Sequence, residues 1–154
     1  YLIDSHNGQI KSQITSGAWA VRGVDRVDVD KRQVWFRASG IYPHQDPYYV
    51  HFARVDFDGS NLVLLTASDG THQIEYSPNG EFLIDKWSRV DCPPVHELRR
   101  VSDGSLVCEL ERSDAQEFAA AGRRLPTRFV AKARDGKTDI FGIVHWPLGF
   151  DPSQ

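Results

Sequence analysis

The sequence has no methionine, only two cysteines, and no apolar run near the ~20 residues that a membrane-crossing helix requires. Cys92 and Cys108 cannot form a disulfide framework, and they lack histidines at the spacing of a zinc site. No single charge dominates: 18 basic and 21 acidic residues leave a net charge of −3, which argues against a nucleic-acid partner. The Gly-x-Ser-x-Gly elbow of hydrolases and the phosphate-cradling glycine loop are both missing. His96-Glu97 opens like a zincin motif, but Arg100 stands where the second histidine belongs. His6, His44, His51, His72, His96 and His145 are scattered and read as structural or surface residues. The expectation is therefore no catalytic, cofactor-binding or metal-binding residue on this chain. No signal peptide is visible, and Tyr1-Leu2-Ile3 reads as the tail of a strand, so the chain is expected to be part of a longer protein. Localisation cannot be read from these residues.

The sequence does contain a repeat. Asn7-Gly8, Asp58-Gly59 and Asp103-Gly104 are separated by 51 and then 45 residues, and each precedes a short apolar strand. Asx-Gly suits a tight hairpin, because the glycine, and often the Asx, takes positive φ. A hairpin recurring every 40–50 residues has the period of a four-stranded β-propeller blade. The 154 residues thus read as an all-β arrangement of two four-stranded antiparallel blades, too few to close a ring.

Strands are expected at Val21–Val29, Gln33–Ser39, Tyr48–Phe57, Asn61–Thr66, His72–Tyr76, Glu81–Arg89 and Val95–Val101, after a hairpin over residues 1–14. In Gln33–Ser39, alternation puts Val34, Phe36 and Ala38 on one face and Trp35 and Arg37 on the other. Leu62–Leu65 and Phe82–Ile84 are continuously apolar, as strands covered on both faces should be, and Cys92-Pro93-Pro94 is expected to break the chain. A two-residue loop at Asp103-Gly104 would set Cys108 opposite Arg99, away from Cys92, which favours two buried thiols over a disulfide. After residue 112 the texture changes. Ala115–Gly122 reads as a short helix with Gly122 as its cap, and a hairpin follows around Asp135-Gly136. The expected organisation is last propeller blades at 1–112, linker helix and connection at 113–126, and the opening hairpin of another domain at 127–154.

Trp35, Phe36, Tyr42, Tyr48, Tyr49, Phe52 and Phe57 could form a stacking platform, but without a basic surround they read as core. Trp19, Trp35, Phe82 and Trp87 are expected to lie buried between sheets. The loop Tyr42–Tyr49 is the best candidate for a contact surface.

Ile14-Thr15-Ser16-Gly17-Ala18-Trp19 with Val21 and Val24 resembles the "T-x-G-x-W-x-V" blade opening of dipeptidyl-peptidase IV-like serine peptidases, in the prolyl oligopeptidase family. Gln33-Val34-Trp35-Phe36 is similar to that blade's second strand. His72 with Tyr76-Ser77-Pro78-Asn79-Gly80-Glu81-Phe82 resembles the blade that follows. Phe129–Gly136, Gly142 and Trp146–Pro152 are similar to the hairpin that opens the family's α/β-hydrolase domain. The resemblance implies a propeller that covers the active site of a serine exopeptidase releasing N-terminal dipeptides, and filters its substrates. It also implies that the catalytic serine, aspartate and histidine lie beyond Gln154. Peptide substrates would then be partners of the whole protein, and a periplasmic or extracellular location is compatible with it. The uncovered blade faces and edges suggest a homo-oligomer. The rival reading is a non-enzymatic propeller or β-sandwich binding module that uses the Tyr42–Tyr49 loop.

Overall fold

The structure, a computed structural model, describes residues 1–150. A short hairpin, β1 (Leu2–Ile3) with β2 (Ile10–Ser12), precedes two four-stranded antiparallel sheets. The first blade is β3 (Ala20–Asp28), β4 (Gln33–Ser39), β5 (Val50–Asp56) and β6 (Val63–Leu64). The second is β7 (Thr71–Tyr76), β8 (Phe82–Arg89), β9 (Cys92–Arg100) and β10 (Leu106–Arg112). Both are simple meanders, and they are open rather than closed into a ring. Helix α1 (Gln116–Ala120) leads to a last hairpin of β11 (Thr127–Lys132) and β12 (Asp139–Val144).

The alternation expected in β4 is what splits the core in two. Val34, Phe36 and Ala38 pack with Ala53 and Val55 on one face, joined by Ile14 and Trp19; the Trp19 and Phe36 rings stack at 5.7 Å. On the other face Trp35 joins Phe52 and Leu65 against Leu83 and Val101, so this second cluster glues the blades together. The linker helix ends at Gly122, with Gly122 N–H donating to Ala119 O and Arg123 N–H to Phe118 O, the paired bonds of a Schellman cap.

The Asx-Gly turns are looser than two-residue loops. Asp56 N–H donates to Ser60 O around a three-residue loop, and Arg100 N–H donates to Ser105 O around four residues. Only the glycines take positive φ. Each Asx side chain instead accepts the amide two residues on: Asn7 from Gln9, Asp58 from Ser60 and Asp103 from Ser105, each at 2.9 Å. The glycines also meet the preceding unit. A Cβ on Gly59 would lie 2.6 Å from Gln13 O, and one on Gly104 only 2.1 Å from Leu64 O.

Several expectations need correction. The longer loop and a bulge put Cys108 opposite Leu98 rather than Arg99, and both thiols are free, with Cys108 exposed and Cys92 half-buried. Pro93 and Pro94 do not break the chain. They sit inside the start of β9, where the β8–β9 register shifts and a missing amide donor is tolerated. Of the four aromatics expected to be buried, Trp35 is (4% exposed), but Trp19, Phe82 and Trp87 are half-buried. In β8 the inward positions belong to Leu83 and Asp85, and Ile84 faces out at 40% exposure, so this strand alternates. Leu62 is likewise exposed, and only Val63–Leu64 pair as β6.

Candidate functional site

The blades have two ends. The β3–β4, β5–β6, β7–β8 and β9–β10 turns form one, and the loops 40–49, 65–70 and 90–91 form the other. Arg128, on β11, reaches the second end. It donates to Tyr49 Oη at 2.9 Å, to Asp91 at 3.2 Å and to Asp69 at 3.3 Å. Arg89 bonds both aspartates from the other side, at 2.8 Å to Asp91. Two guanidiniums and two carboxylates thus clasp the last hairpin to the first blade's loop and the second blade's turns. Burial works against the Asp91 charge, but Arg89 and Arg128 outweigh it and hold this carboxyl below its ordinary range. The Tyr49 hydroxyl is raised, chiefly by burial. Between hairpin and blades lies a pocket of about 330 Å³ lined by Tyr49, Arg128, Phe129 and Phe141.

A second constellation lies buried between the blades. His72 Nδ1 sits 2.8 and 3.0 Å from the two Asp85 oxygens, and its Nε2 sits 2.8 Å from Ser68 O. Both neighbours are acceptors, so either ring nitrogen has a partner when it carries a proton. Arg99 approaches Asp85 at 3.3 Å, grips Glu97 at 2.7 and 3.0 Å, and donates to Gly104 O at 3.0 Å. These four ionisable side chains, His72, Asp85, Glu97 and Arg99, are each at most 6% exposed. The His51 ring lies 4.7 Å from that of His72, and burial, then the His72 charge, pulls the His51 pKa down to about 3. Thr66 accepts from Phe52 N–H at 3.1 Å and lies 3.3 Å from His51 Nδ1; Tyr42 Oη donates to Thr66 O at 2.7 Å.

Thr66, His51, His72 and Asp85 superficially resemble a nucleophile–base–acid relay. Thr66 and Asp85 are fully buried, and the histidines are 2–3% exposed, so no substrate reaches them. The cluster is a blade-to-blade joint, with His51 and Thr66 contributed from the first-blade side and His72 and Asp85 from the second. Sequence spacing does not reveal it, because its members are far apart in the chain. The available signal was polar residues at inward strand positions, with Asp85 opposite Glu97 and Ile74.

Of the remaining histidines, His6, His44 and His145 are exposed and His96 is half-buried on β9. The Tyr42–Tyr49 loop divides its tyrosines: Tyr42 enters the joint, Tyr49 the clasp, and Tyr48 stays 78% exposed. Trp35, Phe36 and Phe52 are core. Among the described residues no helix is long and apolar enough to cross a membrane.

Residues 1–94, more than half of the chain, match the family described as Dipeptidyl peptidase IV (DPP IV) N-terminal region. The whole chain superposes on the crystal structure of Porphyromonas gingivalis dipeptidyl peptidase 4 with a TM-score of 0.70 and 23% identity. Over 93% of its length it also superposes on a Bacteroides ovatus protein assigned as a dipeptidyl aminopeptidase IV, with a TM-score of 0.65 and 22% identity. It spans about a fifth of each, 21% and 20%. At these identities the structural likeness carries the fold alone.

Proposed function

This chain belongs to the dipeptidyl peptidase IV N-terminal region family, and from that premise we propose that it is the propeller portion of a serine exopeptidase releasing N-terminal dipeptides. In this reading residues 1–112 are propeller blades, 113–126 the connection, and 127–154 the opening of the hydrolase domain. The chain carries none of the catalytic residues. Its part is to cover the active site and limit which peptides enter. The observation that carries the reading, beside the family match, is the Arg128 clasp, which ties the last hairpin to the loop end of both blades. The outward face of the second sheet, where Ile84, Leu98 and Cys108 lie side by side with Ile84 exposed, is one that the isolated chain would bury by forming a homo-oligomer, which light scattering would read as a mass above that of the monomer.

The test is release of a chromogenic dipeptide, Xaa-Pro or Xaa-Ala, by the whole protein. Turnover is expected, with loss after treatment with a serine-directed fluorophosphonate, and the 154-residue chain alone is expected to be inactive. Absence of turnover in the whole protein would favour a binding module. Serine-dependent turnover by the isolated chain would overturn the non-catalytic assignment.

A further inference from the structure

The turn end, opposite the Arg128 clasp, holds a cleft of about 530 Å³ between the blades. Arg26, Lys31, Arg54 and Arg100 line it, and among the described residues Glu81 is the one acid on its wall. Four cations face one carboxylate on its wall, in a chain of net charge −3, with Asp28, Asp56 and Asp103 standing near Arg26, Arg54 and Arg100 outside it. Two of the cations are held in place across the gap. Arg54 Nη2 donates to Ser102 O at 3.1 Å, and Arg26 lies over the Trp35 ring at 5.0 Å, with its Nη1 3.6 Å from where a Gly80 Cβ would stand. Arg100 lies over the Phe82 ring at 5.5 Å. Asp28 stands 3.5 Å from Arg26, whereas Lys31 and Arg100 pair with no acid among the described residues.

Trp35 is 4% exposed and lines the cleft, yet its Nε1 has no acceptor, and neither does the buried Arg54 Nε. Buried donors ordinarily find partners, but these two atoms lie behind the cleft wall, closed to solvent, so the groups a ligand meets are the exposed Arg26, Lys31 and Arg100 heads. We propose that this interblade cleft binds a compact, multiply charged oxyanion of the phosphate class. Guanidinium forks match phosphate oxygens bidentately, and the volume lies within the range of about 300–1,000 Å³ typical of small-ligand sites. The two-walled, concave shape suits a compact anion better than an acidic polypeptide. The ligand is free phosphate, or the phosphate groups of a small metabolite.

Calorimetric titration of the whole protein tests this, with sodium pyrophosphate, sodium phosphate and sodium acetate at ionic strength held constant with chloride. The expected result is one saturable site, with pyrophosphate tighter than phosphate and acetate silent. Lys31 and Arg100 are exposed, so K31Q/R100Q should leave the melting temperature in chloride unchanged while weakening pyrophosphate binding about tenfold or more. E81Q should strengthen it, a change that a merely structural role would not produce. Saturable binding of phosphate as tight as pyrophosphate would assign a single-phosphate site and still support the proposal. No saturable heat from either phosphate, or equal pyrophosphate affinity in K31Q/R100Q, would overturn it. The measurement uses no peptide substrate, so its failure is separate from failure of the peptidase reading.

Discussion

The two blades share a layout but are held together by different physics. In the first, the middle strand is buried on both faces, and Val34, Trp35, Phe36 and Ala38 are all at most 9% exposed. In the second, β8 buries Leu83 and Asp85 and turns Ile84 outward, and the inner face continues through Glu97 and Arg99. The first blade gains from apolar area removed from water, which is non-directional and tolerant of small shifts. The second contributes a buried network of ionisable side chains whose value depends on every partner being present. Such a set adds little net stability over an apolar filling, but removing one member leaves others charged and buried. The teaching is that a sheet repeat fixes where residues face, not what kind of energy they supply.

The comparison can be broken most severely on either side. Phe36→Ala in the first blade should cost about 3–5 kcal/mol, measured by reversible chemical unfolding. Asp85→Ala should cost a similar ~3–5 kcal/mol, because His72 and Arg99 lose their shared carboxylate. The two are told apart by rescue: adding His72→Leu to Asp85→Ala should recover part of the loss, a coupling with no counterpart at Phe36. If the double variant is no more stable than Asp85→Ala, the charge-joint account of the second blade fails.

Acid sharpens the contrast. The unfolded His51 takes up a proton near pH 6.5, whereas the folded one resists until about pH 3. Its contribution is therefore complete above pH 6.5 and is lost as pH falls towards 3, with a slope of at most roughly 1.4 kcal/mol per unit. His51→Gln should flatten the pH dependence of stability between pH 6.5 and 4; an unchanged slope would show that His51 charges freely in the fold. Phe82→Ala, half-buried at the rim of the joint, should cost only about 1–2 kcal/mol. A loss above ~3 kcal/mol would place Phe82 in the core after all. Smallest of all, Arg128→Gln should change blade stability by about 1 kcal/mol or less, since its partners are partly solvated. Its effect should appear instead as faster amide exchange in β11 and β12.

Much of this was legible in the chain. The alternation in Gln33–Ser39 separated the two core clusters correctly, because between its polar ends every residue but Arg37 is apolar enough to show its face. Gly122 capped the helix as expected. The second blade was harder to read for a physical reason: Asp85, Glu97 and Arg99 occupy inward positions, so polarity and burial part company and the pattern of two is masked. Phe82 and Trp87 drew the eye by size, while Leu83 beside them took the buried place. The prolines of β9 and the loop at Asp103-Gly104 are not legible locally, because register shifts and loop length depend on partner strands, which local composition does not encode. The clasp could not be foreseen either. Arg128 finds Tyr49, Asp69 and Asp91 only after both blades have folded.

The turn glycines have a consequence for assembly. Gly59 stands against the backbone oxygen of Gln13 and Gly104 against that of Leu64, so at each step from one unit to the next a main-chain oxygen fills the place a side chain would take. A ring closes only when every step advances by the same angle, and side chains of differing bulk would make that advance vary. A spacer made of backbone atoms has one thickness, whatever surrounds it. Where the spacing is held by atoms common to every residue, the blade faces are free to carry grease and charge side by side in one joint.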